Sequence, residues 1–143
     1  MSRMQDLDHL LGADEPHASF HDASLFELRI NYAMRTVSAV FELSVGNPDA
    51  VDATDRERRR IGALELAGLT FWAQEPPDLR DPAWPDHRPW LTADGPLREV
   101  PTETAQRLAR GLPPEAWAWY LYFSDWNAFA YCAAARAEFR WVR

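Results

Sequence analysis

Alternation of apolar and polar side chains is the dominant signal along this chain, and it is strongest near the two ends. Successive side chains of a strand point to opposite faces, so a period of two marks a half-buried strand. From Trp117 to Phe123 one face carries Trp117, Trp119, Leu121 and Phe123, and the other Ala118, Tyr120 and Tyr122. Ser124-Asp125-Trp126-Asn127 has the composition of a turn, after which Phe129 and Tyr131 alternate with alanines, and Phe139 and Trp141 alternate with Glu138 and Arg140. The alanines of 128–135 also suit a helix capped by Ser124 or Asp125, but the alternation on both flanks favours a hairpin or one long bent strand.

The first third reads the same way. Phe26, Leu28, Ile30 and Tyr32 share one predicted face, Ala33-Met34-Arg35 turns the chain, and Val37, Ala39, Phe41, Leu43 and Val45 point inward on the returning strand. A third strand over Ile61–Trp72 changes phase between Leu64/Leu66 and Leu69/Phe71, which predicts a bulge at Ala67-Gly68. Seven of the eleven prolines lie between Pro76 and Pro101, so residues 73–101 are expected to be a long surface excursion, with a brief strand at Leu97–Val100. Thr102 caps a predicted helix Glu103–Arg110, with Ala105, Leu108 and Ala109 as its apolar face and Gly111 and Pro113-Pro114 ending it. Residues 2–11 predict a short helix with Ser2 as N-cap and Leu7, Leu10 and Leu11 on one side. The fold class expected is mainly β, bordering on α+β. Residues 1–19 form a helix and lead-in, and residues 20–143 a single antiparallel β-rich domain, a sandwich or curved half-barrel, with one or two short helices.

Composition narrows the chemistry. With 143 residues and 47% apolar side chains, the chain is one ordinary domain that needs neither disulfides nor metal. All fifteen basic residues are Arg, so Schiff-base chemistry, a P-loop and a lysine general base are excluded. The lone Cys132, in an apolar run, excludes an internal disulfide and a multi-cysteine zinc site and reads as an inert packed thiol. No apolar run near Met1 suggests a signal or anchor, so the cytoplasm is the expected location. The net charge of −7 is concentrated in residues 1–55, where ten acids face three Arg. That imbalance disfavours nucleic acid and anionic membrane as partners and favours a basic protein surface. Asp49, Asp52 and Asp55 lack the spacing of a calcium loop and are expected to pair locally with Arg56 and Arg58–Arg60.

No high-specificity catalytic motif is present, and no catalytic residue, metal or cofactor is expected. Two clusters are candidate ligand sites. His21 beside Asp22 offers a base or metal ligand, although such a pair opening a strand more commonly bonds a turn. Asp125-Trp126-Asn127 offers two polar side chains around a ring on which a ligand could stack, although Asx residues are also what turns require. His87, in the proline-rich segment with Trp84 and Trp90, is a candidate lid over either.

Phe20-His21-Asp22-Ala23 followed by Leu25 to Tyr32, and Phe123-Ser124-Asp125-Trp126-Asn127-Ala128-Phe129, resemble a group of small uncharacterised bacterial β-rich proteins with an opening HDA motif and a late WNxF turn. The first hairpin is more distantly similar to immunity proteins of bacterial toxin systems. The resemblance covers about residues 20–72 and 117–142; it implies a non-enzymatic β domain and supplies no residue roles. The expected function is a cytoplasmic, immunity-like binding protein that meets a basic protein through an acidic face. A small-molecule or enzymatic site near His21, Asp22 and the Asp125–Asn127 turn is the first alternative. A homo-oligomer assembled through surplus tryptophans is the second.

Overall fold

Six antiparallel strands close into a barrel in the computed structural model, which describes residues 7–78, 80 and 88–142. They are β1 (Ser19–Asn31), β2 (Thr36–Ser44), β3 (Arg59–Gln74), β4 (Trp90–Pro96), β5 (Trp117–Phe123) and β6 (Ala128–Trp141). Their order around the barrel is β1-β2-β3-β6-β5-β4, with β4 returning to β1. Two short helices, α1 (Ala53–Arg56) and α2 (Glu103–Arg110), and 3-10 turns at Leu7–Leu10 and Leu97–Glu99 complete the elements. The mainly β, antiparallel class is thus the observed one. Alternation alone leaves sandwich and half-barrel open, whereas the sheet closes fully, the arrangement that removes exposed strand edges.

β5 presents the faces its sequence predicts, and 128–141 is one long strand despite its alanines. The reason is room. Ala130, Cys132 and Ala134 of β6 face the interior, where Phe20, Phe41, Phe123 and Trp119 from other strands fill the space, and Ala128 is buried at the strand's start. A narrow barrel needs small residues opposite large ones, and that demand overrides the helix propensity of alanine. On the outer face of β5 and β6, Ala118, Tyr131 and Ala133 pack with Leu97, Val100 and Ala105 in a second, smaller core beneath α2. Thr102 caps α2 as expected, its hydroxyl accepting from the Ala105 N–H at 3.2 Å.

Several sequence expectations need correction. On β1 the inward residues are Phe20, Ala23, Leu25, Leu28 and Ile30, while Phe26 and Tyr32 are exposed. Two irregularities in the β1–β2 ladder, between Ser19 and Ser24 and between Leu25 and Glu27, shift the phase, and Asp22 carries the first with φ 65°. Gly68, at φ 63°, marks the predicted break in β3, where the inward set passes from Leu66 to Leu69. β6 changes phase opposite it, from Ala134 to Ala137, so both strands turn one corner together. A further register shift between Leu69 and Phe71 sends Phe71 to the outer core, not to the face of Leu69. The 73–101 excursion contains β4, and Leu97–Glu99 is a 3-10 turn, not a strand. The N-terminal helix is a 3-10 turn from Leu7; Ser2 lies outside the described residues.

Among the described ion pairs the arginines after α1 make none with Asp49, Asp52 or Asp55, although the charge of Asp55 reaches Arg58. Arg58 and Arg60 both donate to Glu15, at 2.9 and 2.8 Å, and Arg59 donates to Glu42 at 3.0 Å. Asp52 instead caps α1 through the Thr54 N–H. Glu15 is buried and holds the lead-in segment against β3. Hydrogen bonds from Arg58, then from Arg60, hold its carboxyl below the usual glutamate range. A depressed carboxyl stabilises the fold above the unfolded pKa, and that contribution disappears as pH falls through the folded value. Glu15→Gln should therefore lower stability by about 2 kcal/mol near neutral pH. Urea unfolding of both proteins should show the gap closing once the medium is more acidic than about pH 4.

Candidate functional site

The ladder that closes the barrel is very short. β1 meets β4 only through Ala23 opposite Leu91 and Ser24 opposite Trp90, whereas β3 and β6 pair from Gly62 to Gln74. The sequence-predicted residues gather at this seam. Trp90 donates its indole N–H to the Asp22 carbonyl at 2.6 Å and its backbone N–H to Asp125 Oδ1 at 2.8 Å. The left-handed backbone at Asp22 turns that carbonyl outward, where Arg59 also reaches it at 3.1 Å. The Leu25 N–H donates to the Pro89 carbonyl, and the Ser124 N–H to the Trp90 carbonyl. Asp22 and Asp125 are thus linked through Trp90, a residue that sequence patterning places in a loop; its position before the alternating Leu91, Ala93 and Gly95 was the available signal.

His21 does not join them. Its ring is exposed, with Nδ1 3.2 Å from the Thr92 carbonyl and Nε2 3.6 Å from Asp22 Oδ2, an edge contact along the strand. Asn127 sits at φ 47° in the β5–β6 turn and accepts the Tyr122 hydroxyl at 2.8 Å. Asp125 Oδ1 also accepts the Trp126 N–H at 3.1 Å, the local bonding that turns use. His87 lies outside the described residues. Asp22 and Asp125 therefore spend their described hydrogen bonds on shaping the seam and its turn, and Asn127 divides its own between Tyr122 and Asp78.

Two clefts flank the seam. One, of about 440 Å³, runs between β1 and the first prolines of the excursion and is lined by Leu25, Phe26, Leu28, Pro76, Pro77 and Trp126. Asp78 anchors its wall by donating its backbone N–H to the Trp126 carbonyl. The Asp78 carboxyl is drawn down to about 2, chiefly by Arg80, with a smaller share from the Asn127 side chain. The other, of about 460 Å³, sets the charged side chains of Arg59, Arg88, Glu42 and Asp125 around Trp90. Arg88 lies over the Phe26 ring, 5.7 Å from its centroid. Among the described residues, no group of three or more His, Cys, Asp or Glu side chains is arranged to hold a metal ion. Cys132 is fully buried at the barrel centre, and desolvation pushes its thiol far up.

Comparison with family models, with curated proteins and with solved structures finds no match to the chain.

Replacing Trp90 by Phe keeps the ring but removes the indole donor to Asp22, and chemical denaturation should record a loss of about 1 kcal/mol. The Cys132 thiol should resist a disulfide reagent in the native protein and react only at the unfolding rate, because the thiolate is the reactive form and the interior suppresses it. Prompt labelling without denaturant would contradict the packing described for β6.

Proposed function

We propose that this chain is a non-enzymatic binding protein that engages a basic protein partner through the loop between β2 and β3. The observation that carries the reading is the surface of that loop. Asp49, Asp52, Asp55 and Glu57 are exposed around Val51, itself 97% exposed. The single cation between them, Arg56, donates to the carbonyls of Ala50 and Val51 and so is folded onto the loop's own backbone. An exposed apolar side chain in a loop rich in exposed carboxylates suits a cationic surface with an apolar centre, since charges steer encounter while desolvated apolar contact holds the complex. Arg58 is turned toward Glu15, which leaves the loop's net charge negative. The likeness of the first hairpin to immunity proteins agrees with this reading, and a cytoplasmic location belongs to the same proposal. No helix among the described residues is long and apolar enough to cross a membrane.

A second reading rests on Trp126, which lines the 440 Å³ apolar cleft. That volume lies within the range of small-molecule sites, about 300–1,000 Å³.

Co-purification with the products of neighbouring genes, followed by stopped-flow association, tests the first reading. A basic partner should bind with an on-rate that falls steeply with added salt. The triple variant Asp49→Asn, Asp52→Asn, Asp55→Asn should slow association by about tenfold at low salt while leaving thermal stability nearly unchanged. A partner whose association ignores both salt and these three substitutions would overturn it.

A further inference from the structure

The outer face of β5 and β6 carries a smaller hollow remote in character from the clefts at the seam. It measures about 260 Å³ and is walled by Tyr120, Tyr122 and Phe129, with Val100 and Pro101 at one end and Glu99 in its lining. Register builds it. Tyr120 faces Tyr131 and Tyr122 faces Phe129 across the β5–β6 ladder, so four rings lie on one outer surface. The Tyr122 and Phe129 centroids are 4.8 Å apart, and those of Phe129 and Tyr131 5.5 Å in a stacked pair. α2 and its 3-10 neighbour cover Tyr131 but leave Tyr120, Tyr122 and Phe129 half-buried. Tyr120 lies across Gly95 on β4, where an added Cβ would stand 3.0 Å from ring Cε1, so the absence of a side chain there seats the ring.

The electrostatics of the hollow are one-sided. Glu99 is exposed and makes no ion pair among the described residues. Glu75 accepts the Phe129 N–H with one oxygen at 2.8 Å; it lines the 440 Å³ cleft and not the hollow, but its charge reaches the neighbouring Tyr131. Burial first, then the nearby charges of Asp94 and Glu99, raise the Tyr120 hydroxyl above its ordinary pKa. Arg98, the nearest cation in sequence, donates to the Pro113 carbonyl at 2.9 Å and does not line the hollow. Aromatic faces carry negative potential, and carboxylates beside them add to it, so the hollow attracts a cation and repels an anion. Its volume is below the range of drug-sized ligands and suits one long side chain.

We infer that this hollow receives an arginine side chain presented by a partner polypeptide, its guanidinium stacked on the rings of Tyr120, Tyr122 and Phe129 and paired with Glu99. Arginine suits it better than lysine because its planar, weakly hydrated group stacks on rings while its edge still donates to a carboxylate. The inference rests on the basic-partner reading only for the source of the arginine; the β2–β3 loop lines no part of the hollow.

Side-chain NMR of the intact protein tests it with three probes: N-acetyl-arginine amide, the neutral isostere N-acetyl-citrulline amide, and free arginine. The blocked arginine should shift ring resonances of Tyr120, Tyr122 and Phe129 and bind about fivefold more tightly than the citrulline compound. Glu99→Gln should weaken it by a similar factor, and the Asp49, Asp52, Asp55 triple variant should leave it unchanged. Free arginine should bind no better than the blocked form. Equal binding of citrulline, insensitivity to Glu99→Gln, or shifts confined to residues 47–57 would each overturn the inference, the last while leaving the loop's own role intact. Tighter binding of free arginine would overturn it in favour of a metabolite site.

Discussion

Closure of the sheet at the β1–β4 seam is the constraint on which the rest of this structure depends. Every other junction pairs at least five residues of each strand, some across a register shift, but here only Ala23-Ser24 and Trp90-Leu91 pair. Such a short pairing cannot hold the interior shut by main-chain bonds alone, since each contributes only about 1 kcal/mol net. Side chains make up the difference. Trp90 ties Asp22 to Asp125, so β1, β4 and the β5–β6 turn are joined by one residue.

The N-terminal segment reinforces the same region from the barrel end. Leu7 is fully buried in the main core, and its N–H donates to Asp94 Oδ1, which also accepts the Trp119 indole N–H. Asp8 accepts the Phe20 N–H and the Ser19 hydroxyl, fixing the start of β1. Glu15 then clamps the lead-in to β3 through Arg58 and Arg60. These three carboxylates stitch the segment across β1, β3, β4 and β5. Closure thereby explains why the acids at 8, 15 and 94 are structural, whereas those of the β2–β3 loop remain at the surface.

Much of this architecture is legible in the alternation of residues, because a half-buried strand leaves a period of two wherever it runs straight. β2, β5 and the capped α2 read correctly for that reason, as does the turn at Ser124–Asn127. Legibility fails where strands bend. β1 carries two phase breaks between Ser19 and Glu27, so a single straight register assigns Phe26 inward when its ring lies outside under Arg88. β4 is hidden among prolines and has only seven residues, of which Gly95 and Pro96 disfavour a strand. The candidate residues were found without their roles. Asp22, Asp125 and Asn127 stand out by composition, but their partner Trp90 is distant in sequence, and no local pattern announces a hydrogen bond from residue 90 to residue 22. The aromatic hollow was visible only as the outer half of an alternating strand, since its depth comes from Gly95 and the Val100-Pro101 corner.

Native-state hydrogen exchange measures the central claim most directly. If the interior depends on closure, the Leu25 N–H bonded to Pro89, the Trp90 N–H bonded to Asp125 and the Ser124 N–H bonded to Trp90 are released only when the barrel unfolds as a whole. Their opening free energies should then equal that of Cys132, buried at the barrel centre on β6. Seam amides that exchange far more readily than Cys132, with β3 and β6 still protected, would contradict it by showing a barrel that stays folded with its seam open.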